Sequence, residues 1–263
     1  MGILENRVAI VTGAALGIGR GIARRYAREG ATVIVADFND EAGAETAASL
    51  SELGGNGVFV HYDLFDLNSG SALIDTAIND FGKVDILVNN AYPTGVRQPG
   101  PIEAFPVEHF QKMMLAGYVA IVQTMKDVLP HMQAKKFGRI INMCSLNGVN
   151  AHRWTSDYNS AKEAVRAFSR TAAVEWGRHG ITTNIICPAA ATEAYKAFEK
   201  HEPDMVAEML QQNPTGRMGD PENDIGGAAL LLASDDASYI NGNTLFVDGG
   251  SHINGVNWMP KGS

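Results

Sequence analysis

Basic residues, cysteines and long apolar runs are all scarce in this sequence. Its 21 lysines and arginines are outnumbered by 29 aspartates and glutamates, which gives a formal net charge of −8. Because phosphate backbones and anionic membrane surfaces are bound by basic patches, nucleic acid and membranes are disfavoured as partners. No apolar run approaches the roughly 18 residues that a transmembrane helix needs. A small molecule is therefore the expected partner.

The cysteines and histidines give no sign of a disulfide or a metal site. Cys144 and Cys187 each end an apolar run, which favours buried free thiols in a reducing compartment. The seven histidines show no metal-ligand spacing, so no metal is expected. The sequence opens with MGILENRVAIVTG, which has no basic segment, long apolar stretch or small-residue cleavage site. A cytoplasmic location is therefore expected.

Short apolar segments alternate with helix-length amphipathic segments. The apolar segments are β-branched and apolar on both faces, as buried strands are, and cover residues 7–12, 32–36, 58–61, 84–88, 139–144, 183–187 and 244–247. Amphipathic segments lie between most of them, at 19–29, 40–53, 71–81, 107–135 and 158–179. This alternation predicts one α/β domain over residues 1–263, a doubly wound parallel sheet with helices on both faces. Residues 192–214 interrupt the pattern and are expected to form a mobile helical lid over a pocket.

A glycine-rich turn joins the first predicted strand to the first helix, with the sequence Thr12-Gly13-Ala14-Ala15-Leu16-Gly17-Ile18-Gly19. Glycines there let the backbone approach a pyrophosphate, which the free N–H groups of the helix N-terminus stabilise. An acid, Asp37, follows 18 positions after Gly19, at the end of the second strand. Strand, turn, helix and acid together predict a dinucleotide site, with a merely structural turn as the alternative.

Asp37 favours NAD over NADP as the cofactor. A carboxylate accepts hydrogen bonds from ribose hydroxyls but repels a 2′-phosphate. The glycine-rich turn has no basic side chain, and Phe38 follows the acid. The alternative is a solvated aspartate at a strand end. Asp63, which ends the third strand, and its neighbour Leu64 are candidates for holding the adenine, although a strand-end aspartate is as often a turn former.

Tyr158 and Lys162 lie four residues apart at the start of a predicted helix and can reach the same ligand. Ketone reduction needs a proton donor at the oxygen, and alcohol oxidation needs the same group as a base. A free phenol has a pKa of about 10, which a neighbouring ammonium lowers. Tyr158 is the predicted acid/base, while Lys162 also binds the nicotinamide ribose. Ser145, which closes a strand, is predicted to hydrogen-bond the substrate oxygen.

Together these motifs resemble those of the short-chain dehydrogenase/reductase family over nearly the whole chain. Further matching segments are Asn89-Asn90-Ala91, Ser145 with Gly148, Asn184 to Pro188, and Val247-Asp248-Gly249-Gly250. The resemblance implies a seven-stranded Rossmann sheet, a Ser/Tyr/Lys catalytic centre, a nicotinamide cofactor and commonly a homotetramer built through long helices and the last strand. It also implies that Asn90 and Ala91 line the cofactor, and that the backbone after Pro188, at Ala189 and Ala191, meets the carboxamide.

Three features depart from the family pattern. Tyr92 stands where the family usually has glycine after Asn-Asn-Ala, and is expected to contact the cofactor and reshape its cleft. Pro188-Ala189 replaces the usual Pro-Gly, and the threonine that often touches the carboxamide is displaced toward Thr192. Gly117 stands where the family has a helix asparagine whose water links Lys162 to solvent. We hypothesise that the helix bends at Gly117 and that a free carbonyl holds this water instead.

The substrate pocket is expected to be apolar and aromatic, which favours a bulky apolar secondary alcohol or ketone over a sugar or polyol. The predicted substrate contacts are Ser145, Asn147, Trp154, Tyr158 and Tyr195.

Two alternatives compete with a dehydrogenase. One is an NAD-binding sensor or scaffold without turnover, which Gly117 and Tyr92 favour and the intact Ser/Tyr/Lys set disfavours. The other is the dehalogenase branch of the same fold, which replaces the glycine-rich turn and the lysine. This chain keeps both of those features.

Overall fold

The computed structural model describes residues 2–96 and 99–253, with a seven-stranded sheet at the centre. Its strands are β1 (Val8–Thr12), β2 (Thr32–Asp37), β3 (Asn56–His61), β4 (Ile86–Asn89), β5 (Gly138–Met143), β6 (Ile181–Pro188) and β7 (Thr244–Val247). All neighbours are parallel, in the order β3-β2-β1-β4-β5-β6-β7. The predicted doubly wound sheet is confirmed, and every predicted strand is present.

Ten α-helices are found in the part of the chain that the structure describes. They are α1 (Gly17–Arg28), α2 (Asp40–Ser49), α3 (Leu67–Phe81), α4 (Val107–Met114), α5 (Ala120–Lys135), α6 (Leu146–Val149), α7 (Ser156–Trp176), α8 (Glu193–His201), α9 (Pro203–Gln211) and α10 (Gly226–Ala233). Local capping explains several of their starts: the Asn39 side chain accepts a hydrogen bond from the Ala42 N–H, and that of Asp66 from the Asn68 N–H. None of the described helices is long and apolar enough to cross a membrane.

The core lies in two layers, one on each face of the sheet. Along β1, Ile10 belongs to the cluster on the face covered by α3, α5 and α7, whereas Ala9 and Val11 belong to the cluster under α1 and α10. Successive side chains of a strand point to opposite faces, so the central strands must be apolar on both. The outer strands β3 and β7 are only partly buried, contrary to the expectation of full burial, because within residues 2–96 and 99–253 each pairs with a strand on one side only.

The amphipathic segment at 107–135 does not form one continuous helix. Between α4 and α5 the backbone makes a π-helical turn over Leu115–Val119, with Gly117 at its centre. A Cβ atom on Gly117 would lie 3.1 Å from the Cβ of Ala161 on α7. The turn therefore falls where the backbone passes close to α7, and a π turn accommodates this kind of local irregularity.

The strand order reverses between β1 and β4, and the crevice at such a point is where doubly wound sheets bind ligands. The glycine-rich turn follows β1, Asn90 follows β4, Ser145 follows β5 and Pro188 ends β6. Because all strands are parallel, these residues meet at the same edge of the sheet.

Candidate active site

Thr12 ties the glycine-rich turn to the end of β4. Its Oγ1 accepts hydrogen bonds from the N–H groups of Asn90 and Ala91, each at 3.0 Å. The Asn90 Nδ2 donates in return to the carbonyl oxygens of Thr12 and Gly13, also at 3.0 Å each. Gly13 has φ +64°, and a Cβ there would lie 2.7 Å from the Ala91 Cα. The turn and the Asn90-Ala91 segment therefore pack as one unit that needs glycine at position 13.

The start of α1 is packed equally closely. A Cβ on Gly19 would lie 2.1 Å from the Gly13 carbonyl oxygen, and Gly17 has φ +57°. Leu16 stands at the N-cap and makes no side-chain hydrogen bond to the helix. No capping side chain therefore occupies the first N–H groups of α1. An anion-binding helix N-terminus requires these N–H groups to be available.

Asp37 ends β2 beside this turn. Its Oδ2 accepts from the Ala15 N–H at 2.9 Å, and its Oδ1 accepts from the Asn39 N–H at 3.0 Å. The carboxylate is therefore fixed at the mouth of the crevice, next to Phe38, whose side chain is 67% exposed.

The turn-forming alternative for Asp63 is present in the structure. Its Oδ1 accepts from the Phe65 N–H at 2.9 Å, and its own N–H donates to the Ser69 Oγ at 2.9 Å. The neighbouring Leu64 is buried. Contact of Asp63 and Leu64 with an adenine ring stays a prediction.

The first turns of α7 bring Tyr158 and Lys162 together. Lys162 is buried, and its Nζ donates to the Met143 carbonyl oxygen at 2.7 Å. The same Nζ lies 5.8 Å from the centre of the Tyr158 ring and 5.4 Å from that of Tyr92. Both distances are within the range of cation–π attraction. The end of β5 and two aromatic rings thus surround the ammonium.

Ser145 and Tyr158 face a common cavity of about 560 Å³. Ser145 caps the short helix α6, and its Oγ accepts from the Asn147 N–H at 3.2 Å. Residues after β5, at the end of β6 and in α8 and α9 complete the wall. The lining residues are Ile18, Cys144, Ser145, Leu146, Asn147, Asn150, His152, Tyr158, Pro188, Ala189, Ala190, Thr192, Tyr195, Met209, Leu210, Gln212, Asn213, Met218 and Ser251.

This lining contains the predicted contacts Asn147 and Tyr195 but not Trp154. Trp154 has φ +65°, is 64% exposed and lines a separate concavity with Pro101 and Glu163. The expectation that Trp154 lines the cavity of Ser145 is corrected accordingly. The turn before α7 places Trp154 in this neighbouring concavity, which shares His152 with the cavity of Ser145.

The cavity also contains polar side chains that the sequence did not single out. Gln212 and Asn213 follow α9, and Asn150 follows α6. These residues give the cavity a more polar lining than expected. Their sequence signal is position: Gln212 and Asn213 lie within the predicted lid at 192–214, and Asn150 lies close to the predicted substrate contact Asn147.

Burial excludes the cysteines as competing nucleophiles. Cys144 and Cys187 are free and buried, as predicted, and burial raises the pKa of the two thiols to about 12 and about 11. A thiol must ionise to act as a nucleophile, so neither is reactive near neutral pH. The chemistry of the cavity is left to its oxygen and nitrogen groups.

A buried histidine–aspartate pair includes Asp157, the residue that precedes Tyr158. The Asp157 Oδ2 lies 2.8 Å from the Nε2 of His109 on α4, and the His109 ring stacks on Phe105 at 4.6 Å between centres. The Asp157 side chain is fully buried, and its Oδ1 has no hydrogen-bond partner within residues 2–96 and 99–253. The pair ties α4 to the residue immediately before Tyr158. No motif signals it, because its members lie 48 positions apart.

A parallel doubly wound sheet with a glycine-rich turn and a Ser/Tyr/Lys cluster at one edge is typical of nicotinamide-dependent oxidoreductases. A family model described as enoyl-(acyl carrier protein) reductase matches residues 13–252. The 2,5-dichloro-2,5-cyclohexadiene-1,4-diol dehydrogenase of Sphingobium indicum is 36% identical over 247 residues, which are 94% of this chain and 96% of the relative. The 12α-hydroxysteroid dehydrogenase of a Clostridium species is 33% identical over 257 residues, covering 95% and 98% of the two chains.

The crystal structure of levodione reductase superimposes with a TM-score of 0.89, at 29% identity, over 95% of this chain and 99% of that one. The chain belongs to the short-chain dehydrogenase/reductase family, as its motifs predicted. It is an oxidoreductase of secondary alcohols and ketones that uses a nicotinamide cofactor. The relatives named are enzymes, and nothing in these similarities favours a sensor or scaffold without turnover.

Proposed function

We propose that this protein is an NAD-dependent dehydrogenase that acts on a bulky, mainly apolar secondary alcohol or its ketone. The observation that carries the proposal is the shared cavity, in which Ser145 and Tyr158 stand opposite Pro188 and Ala189 at the carboxyl edge of the sheet. A substrate oxygen and the nicotinamide can meet there in one orientation. The names of the two relatives, a cyclohexadiene diol dehydrogenase and a hydroxysteroid dehydrogenase, support an alcohol carried on a carbon ring.

In this proposal Tyr158 is the acid/base, Ser145 holds the substrate oxygen and Lys162 assists both. The Tyr158 phenol gives its proton to the ketone oxygen in reduction, and its phenolate takes the alcohol proton in oxidation. The Ser145 hydroxyl donates to the same oxygen, since its Oγ already accepts from Asn147. Lys162 provides positive charge beside the phenol and binds the nicotinamide ribose. When bound, the nicotinamide supplies or accepts the hydride.

The described residues fit a dinucleotide. The uncapped N-terminus of α1 suits a pyrophosphate, and the fixed Asp37 carboxylate suits ribose hydroxyls. We propose the following cofactor contacts: Thr12, Gly13, Leu16, Gly17, Ile18, Gly19, Asp37, Phe38, Asp63, Leu64, Asn90, Ala91, Tyr92, Tyr158, Lys162, Pro188, Ala189 and Ala191.

We expect kcat/KM to be far higher with NAD than with NADP, and we expect Asp37→Ala to reduce this preference for NAD. A carboxylate held by the Ala15 and Asn39 N–H groups cannot turn away from a 2′-phosphate. Removing one such repulsion should change the ratio of kcat/KM values for the two cofactors by about tenfold or more. The matched control is Asp40→Ala, which removes an exposed carboxylate three residues further along. Equal efficiency of the native protein with both cofactors would remove Asp37 from the ribose site.

The cavity lining is partly apolar and partly polar, which narrows the class of substrate that we propose. Leu146, Met209 and Met218 provide apolar surface, while Asn147 and Gln212 can hydrogen-bond a second polar group. We therefore propose a ring alcohol or ketone that is mainly apolar and carries a second oxygen.

A substrate panel tests this proposal. It contains cyclic secondary alcohols of increasing size, with and without a second hydroxyl, and sugars and polyols, each with NAD and with NADP. Turnover is measured by nicotinamide absorbance. Preference for a sugar or polyol would contradict the proposed substrate class, and NADH binding without turnover of any compound would favour the sensor alternative.

Substitutions of Gly117 test the proposed proton relay. In this relay, a water held by a helix carbonyl links Lys162 to solvent. Asparagine at this position must push against Ala161, because a Cβ would already lie 3.1 Å from it. We expect Gly117→Asn to leave turnover at saturating NAD within about threefold, and Gly117→Leu to reduce it by displacing the water. A gain of more than about tenfold for Gly117→Asn, about 1.4 kcal/mol of barrier, would show that the native relay is broken.

A homotetramer is part of the same proposal. The expected contacts are the long helices α5 and α7 and β7, which is an edge strand in the part of the chain that the structure describes. Val174 on α7 is 84% exposed, which suits an apolar contact. A monomer in sedimentation velocity at micromolar concentration would contradict this assembly.

A further inference from the structure

We infer that Tyr92 is a positioning residue for the Tyr158–Lys162 pair, an inference that rests on the proposed function. The Tyr92 ring lies edge-to-face on Tyr158, with 4.8 Å between ring centres and an angle of 85°. Its face also lies 5.4 Å from the Lys162 Nζ. Tyr92 thus contacts both the phenol ring and the ammonium from outside α7.

The Lys162 ammonium needs such a contact. It is buried, and it takes part in none of the ion pairs found among residues 2–96 and 99–253. The Met143 carbonyl oxygen accepts one of its N–H groups. A buried charge without a counter-ion is costly, and aromatic faces offset part of that cost by attracting the cation. The Tyr92 ring thus helps to hold the ammonium beside Tyr158.

The far end of Tyr92 is anchored on α4. Its hydroxyl donates to the Sδ of the buried Met113 at 3.5 Å. The same Sδ would lie 3.8 Å from a Cβ on Gly117. The large side chain at position 92 and the missing side chain at position 117 therefore border on the same sulfur atom. In a close-packed interior, a substitution at either position can therefore shift Met113 and affect the other position.

Three variants separate the contribution of the ring face from that of simple packing. Tyr92→Phe keeps the face and loses only the hydroxyl, whereas Tyr92→Met and Tyr92→Leu keep apolar bulk and lose the face. We expect kcat to stay within about threefold in the Phe variant and to fall about tenfold or more in the Met and Leu variants. Substrate KM should change little in all three, because Tyr92 does not line the substrate cavity wall formed by Ser145 and Tyr195.

NADH binding, followed by fluorescence, gives a second readout independent of turnover. Lys162 is proposed to bind the ribose, so the Met and Leu variants should bind NADH more weakly than the Phe variant, by about threefold or more. The control is Tyr239→Leu, which removes a fully exposed ring and should leave kcat and NADH affinity unchanged. Melting temperatures show whether each variant is folded.

Because positions 92 and 117 both border Met113, we expect the effects of substitutions at these positions on kcat to be coupled. Tyr92→Gly opens space toward Met113, and adding Gly117→Asn to it should recover part of the lost kcat, although Gly117→Asn alone brings no gain. Native kcat and NADH affinity in both Tyr92→Met and Tyr92→Leu would overturn the inference. So would strictly independent effects at the two positions. Failure of the native protein to turn over any alcohol with NAD or NADP would instead contradict the proposed function, while the NADH-binding comparison would still test Tyr92.

Discussion

Tyr158→Phe is expected to abolish turnover while leaving NADH binding nearly intact. The substitution removes one oxygen atom and keeps the ring that packs against Tyr92 and lies near Lys162. Without the hydroxyl, nothing donates a proton to the ketone oxygen or accepts the alcohol proton at that position. General acid/base groups contribute roughly 100- to 10,000-fold to a rate, so kcat should fall by at least the lower figure.

The measurement is steady-state turnover on the best substrate of the panel, together with NADH titration. Tyr239→Phe is the control, since the same oxygen is lost from a fully exposed ring. A Tyr158→Phe variant that kept a substantial rate would show that another group moves the proton. A variant that lost NADH binding as well would show that the hydroxyl serves mainly the cofactor.

The second large effect is expected from Gly19→Ala. The added methyl group would stand 2.1 Å from the Gly13 carbonyl oxygen, a distance that no packing adjustment of side chains can relieve, because the obstacle is backbone. The turn and the start of α1 must move apart. Overpacking of this kind costs about 1–3 kcal/mol of the free energy of unfolding. We also expect NADH affinity to fall by about tenfold or more, because the turn no longer presents the N–H groups of α1 correctly.

Gly227→Ala provides the matched control within another helix. Gly227 lies in α10, and a Cβ there would have no atom of the described residues within 4 Å. Alanine favours helix over glycine by about 1 kcal/mol, so this variant should be as stable as the native protein or more so, with unchanged NADH affinity. Calorimetry and NADH titration of both variants provide the comparison. Equal stability and affinity of Gly19→Ala and native protein would mean that the tight turn is not required.

The central sheet could be predicted from the sequence because burial on both faces leaves a direct mark on composition. β1 is apolar from Val8 to Val11, β5 has the apolar pair Ile140-Ile141 at its centre, and both strands are fully buried. The limits of β6 were harder to predict. The sequence predicted a strand over residues 183–187, whereas β6 runs from Ile181 to Pro188 because it pairs with β5 from Gly138 onward. Backbone pairing of this kind does not depend on side-chain polarity, so the pattern does not reveal it.

The sequence led to the hypothesis of a bend at Gly117, and the structure has a π-helical turn there, but the form of that turn could not be predicted. Whether a glycine kinks a helix depends on what packs beside it, and here the neighbour is Ala161 on a helix more than forty positions away in the chain. Trp154 shows the same limitation in a loop. Its aromatic character suggested a pocket, but its surroundings are decided by a turn with positive φ. Motifs predict which residues share the sheet edge, whereas distances between elements come only from the packed structure.

The His109–Asp157 pair has a consequence for how the protein loses activity. It joins a short helix of eight residues to the residue that precedes Tyr158. Short segments open transiently at a lower free energy than the sheet to which they are docked. When α4 opens, the buried Asp157 loses its partner and the start of α7 loses a support, although the seven strands remain paired. We therefore expect activity to depend on the local opening of α4 and to be lost before the sheet unfolds.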